Sequence, residues 1–319
     1  MRPVVIAHRG ASGYLPEHTI PAKALAYAMG ADYLEQDIVA TRDDALIVVH
    51  DIHLDLVSDV AERFPDRARE DGRYYARDFD LAEIETLKVH ERTNARGEPA
   101  FPGRFQSNGE PFRVHTLERE LELVVTLREN GTRPIGIYPE IKDPQWHREE
   151  GVDITRLVLE TLARFGYRGH HDPVYLQCFD EQEVRRIRHE LGSRLKLVQL
   201  IGEDSWTSEP TDFACMQTAA GLEKLASTVD GIGPWLQQLY AVGNDGSITD
   251  QGLVSRAHEH GLVVHPYTFR SDALPTGFTD FDNLLEFMVD ELAIDGLFTD
   301  FPDAVVRFLQ QRHSEAGAK

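Results

Sequence analysis

Val4-Val5-Ile6-Ala7-His8-Arg9-Gly10 opens the sequence, and two later stretches share its pattern: Tyr33-Leu34-Glu35-Gln36-Asp37-Ile38-Val39 and Leu46-Ile47-Val48-Val49-His50-Asp51. Each is a β-like apolar run carrying imidazole, guanidinium or carboxylate groups. Strand interiors are normally apolar, and a buried charge costs free energy unless it has a partner, a metal or a task. His8, Arg9, Glu35, Asp37 and His50 offer acid–base groups, a guanidinium fork and hard oxygen ligands. Together they describe a site for a phosphate ester held on a divalent cation.

Working outward, strands are predicted over 4–8, 33–37, 135–140, 174–179, 196–201, 230–234, 262–268 and 296–299. Helical periodicity falls between them, over 20–29, 117–129, 154–165, 181–191, 221–228, 249–260, 283–292 and 303–311. Most of the strands are bounded by Gly, Pro or Asp, as buried parallel strands are. Eight strands, each followed by a helix, is the count of an α/β fold of the (β/α)8 TIM-barrel kind. At 319 residues the chain exceeds the ~250 typical of that fold and leaves room for insertions. The reading is one barrel domain over residues 1–319.

The run 46–50 follows Val39 too soon for a parallel crossover, which needs roughly a dozen residues. A tight turn at Asp43-Asp44 is the simpler solution, and a symmetric one sets Asp37 opposite His50. Residues 52–112 then break the alternation with charged, aromatic, turn-rich sequence such as Arg63-Phe64-Pro65-Asp66-Arg67. They read as an insertion after the hairpin, lying over the barrel mouth or beside it. The residues from His313 onward read as a frayed tail.

A net charge of −21 excludes a basic nucleic-acid footprint, so an anionic substrate needs locally focused cations. No stretch approaches the ~18 apolar residues of a membrane span, so no stable membrane insertion is expected. Two cysteines, Cys178 and Cys215, make no disulfide framework, and Cys178 lies in an apolar run as a small buried hydrophobe. No signal peptide is visible in the chain as given, which suits a cytoplasmic protein, or a periplasmic one if this is a mature form lacking its leader.

Barrel active sites lie at the C-terminal ends of the strands. The predicted strands end in His8-Arg9, in Glu35 and Asp37, in Glu140 and Lys142, in Gln177, in His265 and Tyr267, and in Thr299-Asp300. Glu35, Asp37 and Glu140 would repel one another unless they shared a cation, and their oxygens suit Ca²⁺, with Mg²⁺ as the alternative. His8 and His50 are the candidate acid–base pair. Arg9 and Lys142 are candidates for the phosphoryl oxygens, and Gln177, His265 and Tyr267 for further substrate contacts. Glu17 either orients the helix that Thr19 can cap or supports Arg9 or His8 from behind.

These segments carry a resemblance. His8-Arg9-Gly10-Ala11, Pro16-Glu17-His18-Thr19, Glu35-Gln36-Asp37, His50-Asp51, Pro139-Glu140-Ile141-Lys142 and Gly296-Leu297-Phe298-Thr299-Asp300 resemble the glycerophosphodiester phosphodiesterase family. The tracts Gly72-Arg73-Tyr74-Tyr75 and Val263-Val264-His265-Pro266-Tyr267-Thr268 point to its bacterial periplasmic branch, which normally carries a leader. The resemblance implies a (β/α)8 barrel with a helical insertion and a metal, usually Ca²⁺, on Glu35, Asp37 and Glu140. It further implies His8 and His50 as acid–base pair and Arg9 on the phosphate. The expected reaction is hydrolysis of a small glycerophosphodiester to sn-glycerol 3-phosphate and an alcohol, with His50 as base and His8 as acid. The substrate's own C2 hydroxyl is the nucleophile the family suggests. The rivals are a lipid phosphodiesterase on a related barrel and a non-catalytic metal-dependent binding protein. Oligomeric state is left open.

Overall fold

The computed structural model describes residues 2–105, 112–206 and 211–317. Its strands are β1 Val4–Ala7, β2 Tyr33–Ala40, β3 Leu46–Val48, β4 Gly136–Ile141, β5 Tyr175–Cys178, β6 Lys196–Ile201, β7 Gly231–Pro234, β8 Tyr240–Val242, β9 Ile248–Asp250, β10 Val263–Val264 and β11 Gly296–Thr299. Eight of them run in the order β10-β7-β6-β5-β4-β2-β1-β11, with parallel neighbours throughout. The ring closes through the irregular continuation of β10. Asp295 N donates to Val264 O at 3.1 Å, Phe298 N to Pro266 O at 3.1 Å, and Phe269 N to Phe298 O at 2.8 Å. The fold is the predicted (β/α)8 barrel. Apolar side chains from the outer strand faces and the surrounding helices form the main core. Ile6, Tyr138, Val198 and Phe298 fill the barrel interior.

Three local expectations are corrected. Strand 262–268 shrinks to two residues because Pro266 has no N–H to give the ladder. The predicted helix 249–260 spans only Leu253–Glu259, since Ile248–Asp250 pairs antiparallel with β8 across a turn containing Asp245-Gly246. The segment from His313 is not a tail as far as Gly317, because it continues the helix Pro302–Gly317.

The hairpin of β2 and β3 forms, but one residue out of the predicted register. Ile38 faces Val48, Val39 faces Ile47 and Ala40 faces Leu46, so Asp37 lies opposite Val49, whose N–H donates to Asp37 O. The turn has three residues between Thr41 and Ala45, with Asp44 in the left-handed region at φ 62°, and not the symmetric pair Asp43-Asp44. His50 follows the last paired residue, so its side chain is free of the ladder's alternation and still reaches the site.

Among the described residues of 52–112 the chain forms short helical turns, among them Val60–Arg63 and Leu81–Ile84, and isolated β-bridges such as His53 with Tyr75 and Ser58 with Val89. Leu54, Val60, Phe79, Ile84 and Leu87 pack with Val39, Ile47 and Val49 into a small separate core on the hairpin. Residues 106–111 of this segment lie outside the described residues. Among the described residues no helix is long and apolar enough to cross a membrane.

Candidate active site

The site begins where β1 ends. Arg9 (φ 60°) and Gly10 (φ 92°) both take left-handed conformations, which turn the chain sharply after His8. A Cβ on Gly10 would lie 2.9 Å from the backbone carbon of Ala22, so this position needs glycine on two counts. The turn aims Arg9 N at Glu35 Oε2, 2.8 Å away. Thr19 accepts from Ala22 N and caps the helix Ile20–Met29 as expected.

Register then gathers the carboxylates. Asp37 on β2 pairs with Glu140 on β4, and Glu140 with Gln177 on β5, while Glu35 occupies the preceding inward position of β2. One oxygen from each of Glu35, Asp37 and Glu140 lies within 4.8 Å of the others, and all three residues are buried. Burial, together with Asp37 and Glu140, pushes Glu35 well above the ordinary carboxyl range. Burial also raises Glu140, to about 8, with Lys142 opposing and Asp37 reinforcing. Asp37 feels the same burial, but His18 and Lys142 outweigh it and hold its carboxyl well below the usual range. Asp37 Oδ1 is nevertheless buried with no donor. Three crowded oxygen donors with an unmet lone pair fit a hard divalent cation.

A cavity of about 230 Å³ opens over this triad, and His8, Arg9, His50, Gln177 and Tyr267 also line it. His8 is held through Nδ1, 2.6 Å from Asp300 Oδ1, with Nε2 4.0 Å from Glu35 Oε2. Burial, with Arg9, lowers His8 to about 4 against the opposing pull of Asp300. His50 is held in the same way, Nδ1 to Asp51 Oδ1 at 2.8 Å. Burial lowers it to about 3, helped by Arg9 and Lys142. Arg9 reaches both oxygens of Glu17 at 2.9 and 3.1 Å, and its Nε lies 3.6 Å from Asp37. Lys142 donates to Glu140 at 2.7 Å. Gln177 donates to Glu35 at 3.1 Å and keeps a buried amide oxygen without a partner. Tyr267 turns its hydroxyl away, onto Ile201 O.

Of the predicted strand-end site residues, Lys142 lines an adjoining groove and not this cavity, and His265 lines neither. His265 lies below the cavity in the barrel interior, where its Nδ1 meets Tyr138 Oη at 2.8 Å and its ring packs on Tyr175.

The fold and geometry have counterparts among known proteins. The model of the glycerophosphoryl diester phosphodiesterase family matches residues 8–304. The chain belongs to that family. It is 42% identical to a glycerophosphodiester phosphodiesterase of Haemophilus influenzae, over 96% of this chain and 90% of that protein. It is 36% identical to one of Treponema pallidum, over 96% of this chain and 91% of that one. Among solved structures, a putative glycerophosphoryl diester phosphodiesterase from Silicibacter pomeroyi superposes with a TM-score of 0.71 at 21% identity, covering 98% of this chain and 94% of its own. This chain is therefore an enzyme of the phosphodiesterase class.

Several residues of the phosphodiesterase site escape the sequence reading. His18 Nε2 donates to Asp37 at 2.7 Å, and Lys23, fully buried, reaches Glu120 at 3.0 Å and the Glu35 backbone carbonyl. Asp300, Asp51 and Arg270 also act here, the last on Asp300 at 2.7 Å. In the sequence Asp300 is a polar strand end and Asp51 the neighbour of His50, with no role assigned to either. Trp206 and Trp235, which wall the cavity, sit in segments with no comparable signal.

Proposed function

We propose that this phosphodiesterase hydrolyses small glycerophosphodiesters to sn-glycerol 3-phosphate and an alcohol by proton transfer between two histidines. The observation that carries the reading is the pair of histidines facing one cavity, each with Nδ1 on a carboxylate, while His8 Nε2 makes a long contact with Thr268 Oγ1 at 3.5 Å. A carboxylate on Nδ1 fixes the tautomer and the ring orientation. Lys142 beside His50 disfavours its protonated form, which suits the base that takes the proton from the attacking hydroxyl. His8, whose Nδ1 sits on Asp300 as that of His50 sits on Asp51, is assigned as the acid that returns a proton to the leaving alkoxide. Arg9, anchored by Glu17, presents its guanidinium to the phosphoryl oxygens.

Glu35, Asp37 and Glu140 would hold a divalent cation, with Ca²⁺ favoured, which when bound supplies positive charge to a phosphoryl oxygen and the glycerol hydroxyls. The attacking group we favour is the substrate's C2 hydroxyl, followed by opening of the cyclic phosphate with water. Past His50 the cavity continues into a groove of about 600 Å³ walled by Trp146, Phe179 and Phe213 and by Asp143, Glu149 and Asp180. Aromatic faces among carboxylates suit a cationic alcohol, which supports choline and ethanolamine esters.

A coupled assay for glycerol 3-phosphate on glycerophosphocholine, with and without EGTA and added Ca²⁺, tests the reading. His8→Ala and His50→Ala should each lower kcat by about 10²–10⁴-fold with the fold intact. Near-normal turnover in either variant refutes the pair. Faster release from phospholipid micelles than from glycerophosphocholine would favour the lipid-directed rival.

A further inference from the structure

The carboxylates behind the two histidines are themselves gripped, and in both cases by an arginine from segment 52–112. Arg92 spans two of them. Its Nη1 donates to Asp51 Oδ2 at 2.7 Å, while Nε and Nη2 donate to Glu17 at 2.8 and 2.7 Å. Asp51 turns its other oxygen to His50 Nδ1, and Glu17 holds Arg9. One guanidinium thus ties the base's orienting carboxylate to the anchor of the phosphate-binding arginine. Arg104 does the equivalent on the far side of the cavity. Its Nη2 donates to Asp300 Oδ2 at 2.7 Å, and Asp300 gives its other oxygen to His8 Nδ1 at 2.6 Å. Arg104 is fixed in turn by Asp272 at 2.8 and 3.0 Å and by the Phe101 ring, 3.7 Å below its guanidinium.

We propose that Arg92 and Arg104 position the catalytic pair, setting the rotamers of Asp51 and Asp300 and thereby the aim of His50 and His8. The planar fork is what the geometry requires. Arg92 meets two carboxylates at once through three nitrogens of a fixed planar fork, a geometry that a lysine's single nitrogen does not reproduce. Neither arginine lines the cavity, so neither touches substrate; each acts through a carboxylate. Asp300 has a second arginine, Arg270, whereas Asp51 has Arg92 as the arginine donating to it among the described residues. Arg92 is therefore the more sensitive of the two. The inference rests on the assignment of the histidines in the proposed function.

The test is a double-mutant cycle on turnover of glycerophosphocholine by the full chain. Arg92→Lys should lower kcat about tenfold with little change in KM, as loss of an orienting partner does. Asp51→Asn should lower kcat at least as much, and the double variant should be slower than Asp51→Asn by less than the full Arg92→Lys loss, because the two changes share the Asp51 linkage while Arg92 also braces Glu17. The ¹⁵N shifts of the His50 ring should move in Arg92→Lys toward a mixture of tautomers. Independent, additive losses, an unmoved His50 signature, or a raised KM at unchanged kcat would each overturn the proposal. The same cycle on Arg104→Lys and Asp300→Asn is an independent copy of the test should an Arg92 variant fail to fold. His50→Ala is run alongside. Normal turnover there removes the histidine assignment itself, whereas loss there with additive Arg92 effects removes only the brace.

Discussion

Replacing His265 with leucine separates a substrate-binding histidine from a buried structural one. The ring is 1% exposed, and its Nδ1 lies 2.8 Å from Tyr138 Oη in the barrel interior. Burial lowers its pKa from the ordinary 6.5 to about 4, with Asp295 opposing and Lys196 assisting. The unfolded chain therefore takes up this proton before the native one does. As pH falls below about 6.5 the unfolded state gains, and the loss of native stability saturates near pH 4 at about 3 kcal/mol. His265→Leu removes that loss. At pH 7 it instead leaves the buried Tyr138 hydroxyl unpaired, at a cost of about 1–3 kcal/mol. Urea denaturation should find the variant less stable at pH 7 and more stable at pH 4, with the curves crossing near roughly pH 5. Turnover at pH 7 should be close to that of the parent. A drop in kcat/KM of about tenfold or more with unchanged stability would put the ring at the substrate and refute the reasoning.

Asp37→Asn removes the one carboxylate of the triad that its neighbours hold ionised, so Ca²⁺ affinity by calorimetry should fall by about a hundredfold or more; affinity within a few-fold of the parent would exclude Asp37 as a ligand. Lys23→Met strands the buried Glu120 carboxylate, which keeps His115 and Gln36 as donors among the described residues. The expected loss in urea melts is about 3 kcal/mol, largely recovered in Lys23→Met/Glu120→Gln. A loss under about 1 kcal/mol would show the pair to be dispensable. Gly10→Ala forces a Cβ against the Ala22 backbone at positive φ, so it should cost about 1–3 kcal/mol and reduce kcat by displacing Arg9 N from Glu35. Parent-like melting and turnover together would contradict that account of the turn.

Much of the site is legible in the chain because a parallel barrel turns strand ends into an address. His8, Glu35, Asp37, Glu140 and Gln177 are polar groups ending apolar runs, and the ladder brings them to one cavity. His265 obeys the same local pattern and does not arrive there. Its strand is two residues long, and depth within a barrel depends on stagger between strands, which no local pattern encodes. Lys23 reads as an ordinary helix lysine, and only the packing of its helix on β2 makes it a buried ion.

The sequence by itself determined the barrel, the hairpin after β2 and the residue types of the chemistry, since these follow from periodicity, turn residues and the cost of burying charge. Tertiary structure alone decided the hairpin register, the depth of His265 and the arginines that grip the carboxylates behind the histidines. Asp300 meets His8 across 292 residues, and Arg92 meets Glu17 across 75. Contacts of that span arise from the closing of the ring and the docking of segment 52–112, where geometry rather than neighbouring sequence selects the partner.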